Sequence, residues 1–380
     1  MKHILISYDY FYPGYKAGGP IQSLVNLVIL LQNDYKISVL TGAYDHNETS
    51  PYENIKINDW NKVYLPNNLQ PVNVWYADTK QLSYKTIKQI IKDTRPDIVY
   101  INSMYSLFFM LYPLIVLKRL KISSIATICP RGMLQDGALQ VKAGKKEYFL
   151  KALKFFGLLN NISWHATNLE EKNDINLYFP NNNITVAHNI PKIPLYLRKD
   201  SQKVKGKLNL IYLSLISEKK NLHLLLQVIL KSDTGVTLDI YGPVKDNKYW
   251  NDNCVPLIDK LKHRVTYNGD ILPLYVQDKL SEYDALALLT KGENFGHALY
   301  ESLSVGRPII TSYFTPWNTL EKENAGWNVD INNLDKIANL FNWLILLDKN
   351  EFDKYCKGAY SLAEEYYNSQ NFMESYNLCF

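Results

Sequence analysis

The chain lacks most of the features that mark metal-bound, disulfide-bonded or membrane-spanning proteins. It has four cysteines in 380 residues, Cys129, Cys254, Cys356 and Cys379. They are widely separated and form no Cys-x-x-Cys pair, which argues against a zinc site or a disulfide framework and fits a reducing compartment. The longest apolar run, Tyr105–Leu117, is interrupted by Pro113. It falls short of the roughly 18 residues needed to cross a bilayer, so it reads as a buried helix. The opening MKHILISYDY has too short an apolar run for a signal peptide. Short internal repeats and low-complexity tracts are absent. A cytoplasmic protein with no nucleic-acid partner is expected.

What is present is an ordinary globular composition, 47% apolar and 21% charged. The length suggests two domains at about 100–200 residues each. The net charge of +5 is uneven: residues 1–190 carry 20 Lys/Arg against 14 Asp/Glu, and the remainder 22 against 23. The first half therefore holds all of the basic excess, as a surface facing an anionic partner would.

Short apolar runs alternate with helical patterns throughout. In the first half the runs are His3–Ser7, Lys36–Leu40, Ile98–Ile101 and Ser124–Ile128, with a helix over Ile21–Leu31 opened by Gly18-Gly19-Pro20. Pro191, Pro194 and the polar stretch Arg198–Lys207 mark a linker. The rhythm then restarts. Strands are expected at Leu208–Leu213, Val236–Tyr241, Val265–Tyr267, Asp284–Leu289 and Pro308–Thr311. Helices are expected at Asn221–Lys231, His297–Ser304, Asn333–Leu347 and from Glu351 onward. This is the pattern of two α/β domains with parallel, doubly wound sheets: 1–190, a linker over 191–207, and 208–365. A last helix over about 366–380 is expected to pack back on the first domain. Open sheets of this kind bind ligands beyond the carboxyl ends of their strands.

The most informative segment is Leu289–Trp317, LTKGENFGHALYESLSVGRPIITSYFTPW. A strand leads through a loop containing Gly292 to Gly296, where a helix begins. The unpaired amides at such a helix start, at the positive end of its dipole, suit a phosphate or a sugar hydroxyl. Glu293 lies in the loop and Glu301 in the helix, eight positions on. Eight helical residues span about 12 Å, more than the roughly 5–9.5 Å of a hydrolytic carboxyl pair. Separate contacts with distant parts of one ligand are the more natural use of these acids.

ENFGHALYE over Glu293–Glu301, followed by Gly306-x-Pro308 and Thr315-Pro316-Trp317, resembles the donor-site signature of glycosyltransferase family 4. The likeness extends over nearly the whole chain. Gly18-Gly19-Pro20 resembles the family's glycine loop. Ser217-x-x-Lys220-Asn221-Leu222 and Asp239-Ile-Tyr-Gly242-Pro243 also fit. Pro130-Arg131-Gly132-Met133-Leu134 and Trp164-His165-Ala166-Thr167 are similar to segments of the branch that builds bacterial surface polysaccharides.

The resemblance implies a GT-B fold, two Rossmann-like domains facing across a cleft, and a retaining transferase. By it, Glu301 holds the ribose of a nucleotide-sugar donor. Glu293 contacts the transferred sugar with the amides of Asn294, Phe295, Gly296, His297 and Ala298. Lys220 neutralises the diphosphate, Gly18 and Gly19 bring a second helix start to it, and Gly242 lines the same site. The loop Gly269–Pro273 is expected at the nucleobase. No Asp-x-Asp pair occurs, which favours a metal-free mechanism without cofactor. A leaving diphosphate needs preorganised positive groups, and a lysine with two helix starts supplies them.

Two positions depart from the family. Leu215 stands where an Arg usually shares the diphosphate, leaving Arg131 or Lys16 as candidate replacements. Asn102 stands where many relatives carry a His facing the donor sugar. His297 is expected at the sugar or phosphate, and His165 in a structural role. Val141–Leu159 interleaves lysines with aromatic and aliphatic residues, as a helix packed on the core or lying on anionic lipid does. The leading reading is transfer to a saccharide or lipid-linked saccharide acceptor in capsule, O-antigen or exopolysaccharide synthesis. The alternative is a catalytically weak GT-B subunit that binds saccharide or a partner. A GT-B nucleotide-sugar epimerase ranks third.

Overall fold

The computed structural model describes residues 1–66, 68–121, 125–135, 143–160, 162–180, 182–195 and 203–380. The chain divides into two compact units, one of Met1–Ile190 with Asn371–Phe380, the other of Pro191–Gln370.

In the first unit the strands are β1 (His3–Ser7), β2 (Lys36–Gly42), β3 (Trp60–Tyr64), β4 (Pro71–Ala77), β5 (Ile98–Ile101), β6 (Ile125–Ile128), β7 (Ile162–Ala166) and β8 (Asn183–Val186). They form one sheet in the order β3-β4-β2-β1-β5-β6-β7-β8. Every pairing is parallel except β3 with β4, where the edge strand runs back on its neighbour. HILIS and IVYI are buried along their whole length because helices cover both faces of a doubly wound sheet. The helices are α1 (Gly19–Leu31), α2 (Tyr84–Thr94), α3 (Tyr112–Leu120), α4 (Ala143–Phe155) and α5 (Leu169–Tyr178). The apolar run at Tyr105–Leu117 begins with a wide π-helical turn, Leu107–Leu111, before α3, and Leu107 is exposed rather than buried. Ser124, Val141, Lys142 and the linker residues 196–202 lie outside the described residues.

In the second unit, β9 (Leu208–Leu213), β10 (Val236–Tyr241), β11 (Val265–Tyr267), β12 (Ala285–Leu288), β13 (Ile309–Ser312) and β14 (Gly326–Val329) form an all-parallel sheet in the order β11-β10-β9-β12-β13-β14. Its helices include α6 (Leu222–Lys231), α7 (Val255–Lys260), α8 (Val276–Leu280), α9 (His297–Ser304), α10 (Leu334–Leu346) and α11 (Lys349–Ser369). Asp348 and Glu351 close a reciprocal capping box at the start of α11.

The helix expected over about 366–380 is broken. Gln370 turns extended after α11, and a separate α12 (Phe372–Asn377) packs into the first unit. Tyr376 is fully buried there, against His165 at 5.2 Å, and Lys2 Nζ donates to the Phe380 carbonyl at 3.0 Å.

Strand order reverses direction between β1 and β5 in one sheet and between β9 and β12 in the other. In open sheets the loops leaving such a pair of strands diverge to opposite faces, and such folds place ligands there.

Candidate functional site

In the second unit, the loops after β9 and β12 meet at this switch point. The chain leaves β12 through Thr290, Lys291 and Gly292, and the Glu293 amide donates to the Phe314 carbonyl at 2.9 Å. Gly296 then takes φ 80° and no side chain caps the first turn of α9. A Cβ at Gly296 would meet Leu299 Cδ1 at 2.9 Å, so glycine suits the position both sterically and conformationally. Asn294 to Ala298 supply the amides of this turn and of the start of α9, and amides at a helix start lack intrahelical partners.

Each acid of the corner holds a lysine. Glu293 Oε1 lies 2.5 Å from Lys220 Nζ, and Glu301 Oε1 lies 2.9 Å from Lys192 Nζ. The side chains are 10% and 9% exposed for the acids and 18% and 19% for the lysines, dry enough for the pairs to matter. Lys220 ends the short 3₁₀ turn Glu218–Lys220, and Asn221 beside it bonds the Leu289 carbonyl, tying the β9 loop to the β12 loop. Lys192 was not foreseen. It also donates to the Pro273 carbonyl at 2.7 Å, and so links the Gly269–Pro273 loop to Glu301. Its position between Pro191 and Pro194 reads as linker, and only the fold brings it to the acid.

Lys219 was missed as well. Its carbonyl accepts from the Lys291 amide at 2.8 Å, and its Cε would lie 3.5 Å from a Cβ on Gly292. Burial holds the Lys219 ammonium below its ordinary range, with Lys220 and Lys245 pushing the same way and Glu293 opposing. The corner therefore collects more positive than negative charge without an arginine at position 215.

Gly242 sits behind the corner, where a Cβ would come 2.0 Å from the Ser214 carbonyl, and its amide donates to Gly269. Phe295 directs its ring inward. It packs against His297 at 4.9 Å and against Tyr300, Trp317 and Tyr366 at 5.7 Å each, leaving only its backbone for a ligand. Trp317 Nε1 donates to the Phe295 carbonyl at 2.8 Å, which gives the Thr-Pro-Trp tail its work: it braces the loop.

The first unit assembles its own candidates at its own switch point. Gly18 caps α1 with φ 86°, and Gly19 begins the helix. Asn102 follows β5 and is fully buried. Its Oδ1 accepts from Arg131 Nε at 2.6 Å, while its Nδ2 has no partner among the described residues. Arg131 takes a left-handed φ of 54° and also donates to Asn189 Oδ1 and to the Tyr100 hydroxyl at 3.3 Å. Asn189 accepts from Ser23 on α1 too, so one unforeseen residue joins the Gly18–Gly19 helix, Asn102 and Arg131. Glu171, fully buried, fixes the loop by accepting from the Gly132 and Thr167 amides.

Of the two cations named as replacements for the missing arginine, Lys16 is ion-paired with Glu48. Arg131 is held by three neutral oxygens. His165 is structural: it bonds the Tyr100 hydroxyl and the Ala187 carbonyl, both at 2.8 Å. Burial, with the Arg131 charge, pushes its imidazole down to about 3. Among the described residues no three His, Cys, Asp or Glu side chains cluster, and no helix is long and apolar enough to cross a membrane.

Residues 196–360 match the family model described as glycosyl transferases group 1. That segment contains Lys220, Gly242, Glu293 to Ala298 and Glu301, but not Lys192. No curated protein sequence matches the chain. Solved structures do. Anabaena HepE in complex with UDP and glucose is 15% identical, with a TM-score of 0.69 over 100% of this chain and 99% of that one. Sucrose-phosphate synthase from Thermosynechococcus elongatus is 15% identical, with a TM-score of 0.71 over 99% and 98%. S. aureus TarM, bound to fondaparinux, α-GlcNAc-glycerol and UDP, is 13% identical, with a TM-score of 0.67 over 100% of both chains. The fold is GT-B. In GT-B terms, the corner of Glu293 and Glu301 belongs to the carboxy-terminal Rossmann-like unit, and Gly18, Asn102 and Arg131 to the amino-terminal one.

Proposed function

We propose that the chain is a retaining glycosyltransferase that moves a sugar from a nucleoside-diphosphate donor to a saccharide or lipid-linked saccharide. The observation that carries the reading is the corner of the second unit, where two nearly buried acids are each held by a lysine beside an uncapped helix start. Carboxylates fixed in this way accept hydrogen bonds from vicinal hydroxyls. Glu301 takes the ribose and Glu293 the transferred sugar. Lys220, Lys219 and the first amides of α9 receive the charge that develops on the leaving diphosphate. No metal is required for that step. The acceptor attacks on the face the diphosphate leaves, and the departing phosphate takes its proton. The family match over residues 196–360 and the UDP-bound neighbours support this reading.

A second reading, a saccharide-binding subunit with little or no turnover, is favoured by Leu215 and by Asn102, whose carbonyl is committed to Arg131. One experiment separates the two: nucleoside-diphosphate binding and sugar transfer measured for the native chain and for Glu301→Ala. Transfer by the native chain and its loss in the variant support the transferase. Binding without turnover across a broad donor and acceptor panel supports the subunit. EDTA is expected to leave transfer unchanged, and a strong loss would overturn the metal-free mechanism.

We place the acceptor at the inner surface of the plasma membrane, in surface-polysaccharide synthesis. Helix α4 and the residue after it support this with an outward side that carries aromatic residues as well as lysines. Leu150 and Leu153 pack inward, while Tyr148, Phe155 and Phe156 are 76%, 85% and 62% exposed beside Lys145, Lys151 and Lys154. Aromatic residues among lysines suit an anionic interface. Retention on phosphatidylglycerol vesicles at low salt, weakened by Phe155→Ser with Phe156→Ser, is the expected result; no retention removes the membrane placement.

A further inference from the structure

The second unit has another concave surface, which the corner does not use. Strand β14 is the free edge of its sheet, and a cavity of about 370 Å³ opens beside it. Small-molecule sites begin at about 300 Å³. Trp327 from β14 and Trp343 from α10 form two of its walls, with Tyr313, from the loop after β13, beside them. Trp343 is 42% exposed and Tyr313 57%, large aromatic surfaces that the fold leaves in water. The two indoles meet edge to face, 6.2 Å apart at 76°.

Glu321, Asp330 and Lys336 are the charged residues of the lining, and Val329, Ile337 and Leu340 add apolar surface. Two acids against one lysine disfavour a phosphate-bearing ligand. Perpendicular indole walls suit a puckered ring, whose C–H groups point in several directions, better than a flat base that stacks on one plane. The Glu321 and Asp330 carboxylates already accept from the Asn328 and Asn332 amides and keep further lone pairs for hydroxyls. Asn328, 6% exposed in the same wall, gives Nδ2 to the Trp317 carbonyl, and its Oδ1 has no hydrogen-bond partner among the described residues.

We infer that this groove is a second saccharide-binding site, taking one neutral pyranose unit of a glycan. It stands apart from the acids of the corner and does not depend on the transfer reaction. Its wall nevertheless shares a segment with the corner: Tyr313 precedes Phe314, whose carbonyl holds the Glu293 amide, and Asn328 reaches Phe295 through Trp317.

Saturation-transfer NMR on the full chain tests the site, with methyl glucoside, methyl galactoside, N-acetylglucosamine and maltotriose as probes. At least one probe is expected to receive saturation, with binding about tenfold weaker in Trp343→Ala and in Tyr313→Ala. Thermal melting would show that both variants fold, and Tyr313 is exposed enough to change without loss of packing. Binding is expected to survive Glu301→Ala and excess UDP. The proposal is overturned by no saturation of any probe, by equal binding in both groove variants, or by binding abolished by Glu301→Ala or UDP, which would place the sugar at the corner. A self-association that disappears in Trp343→Ala would also overturn it, making the groove a contact between copies.

Discussion

At the scale of single residues, the two acid–lysine pairs do different work. Lys192 holds Glu301 and the Pro273 carbonyl together, so Lys192→Ala strands an acid that is 7% exposed. The expected cost is about 1–3 kcal/mol of stability, and in a double-mutant cycle Lys192→Ala with Glu301→Ala should lose less than the sum of the two. Urea denaturation measures both. Lys220 is the cation at the proposed diphosphate. Lys220→Ala is expected to weaken nucleoside-diphosphate binding by about 1.5–3 kcal/mol, the range of a charged hydrogen bond. Titration calorimetry would record the loss, and an unchanged affinity would remove Lys220 from the diphosphate. His165 supplies a pH dependence. Its imidazole stays neutral in the folded state down to about 3, whereas the unfolded chain binds a proton near pH 6.5. Between those values the unfolded state holds more protons, so stability falls as pH falls, by about 1.4 kcal/mol per unit from this group. Unfolding curves at pH 7 and pH 5 should show that loss, and His165→Gln should show a smaller one.

At the scale of elements, the α9 corner depends on a glycine and on an aromatic brace. Gly296→Ala places a Cβ against Leu299 in a left-handed conformation and is expected to cost about 1 kcal/mol. It should also weaken nucleotide binding, because the first turn shifts; thermal melting and UDP titration read the two effects separately. The sequence displays this corner clearly. A four-residue strand, a glycine loop and a helix follow one another within twenty residues, and local pattern alone sets β12 and α9. The same holds for β1, β5, β9 and β10, whose apolar runs coincide with the observed strands. What local pattern does not reveal is pairing across the chain. Trp60–Tyr64 alternates half-buried with exposed residues and joins the sheet only through its antiparallel contact with β4. Lys192 reads as linker and Asn189 as the end of a loop, because each gains its role from a partner many positions away. Lys16 and Arg131 illustrate the converse. Both are candidate replacements for the missing arginine by their charge, and both have neighbours that only the fold supplies.

At the scale of the whole molecule, a core within each unit implies a separate stability for each. One core is built from Leu208–Leu213, α6, β12, α9 and their neighbours, the other from Leu5, Leu40, Ile101, Trp164 and theirs. Units with their own cores unfold as units, so a single two-state description does not suit this chain. The carboxyl-terminal segment then has a specific consequence. Although Asn371–Phe380 follows the second unit in sequence, it completes the first: Tyr376 and Phe380 pack on His165 and Tyr100, and the Cys379 carbonyl accepts from Thr127. Removing residues 371–380 uncovers those side chains in the first unit and deletes nothing from the second. The truncated chain is therefore expected to show a lower transition for the first unit and an unchanged one for the second. Hydrogen exchange would assign them, with β5 and β7 losing protection while β9 and β12 keep theirs. Equal losses in both sets of strands would mean that the two cores melt together, and that the tail stabilises the chain as one body.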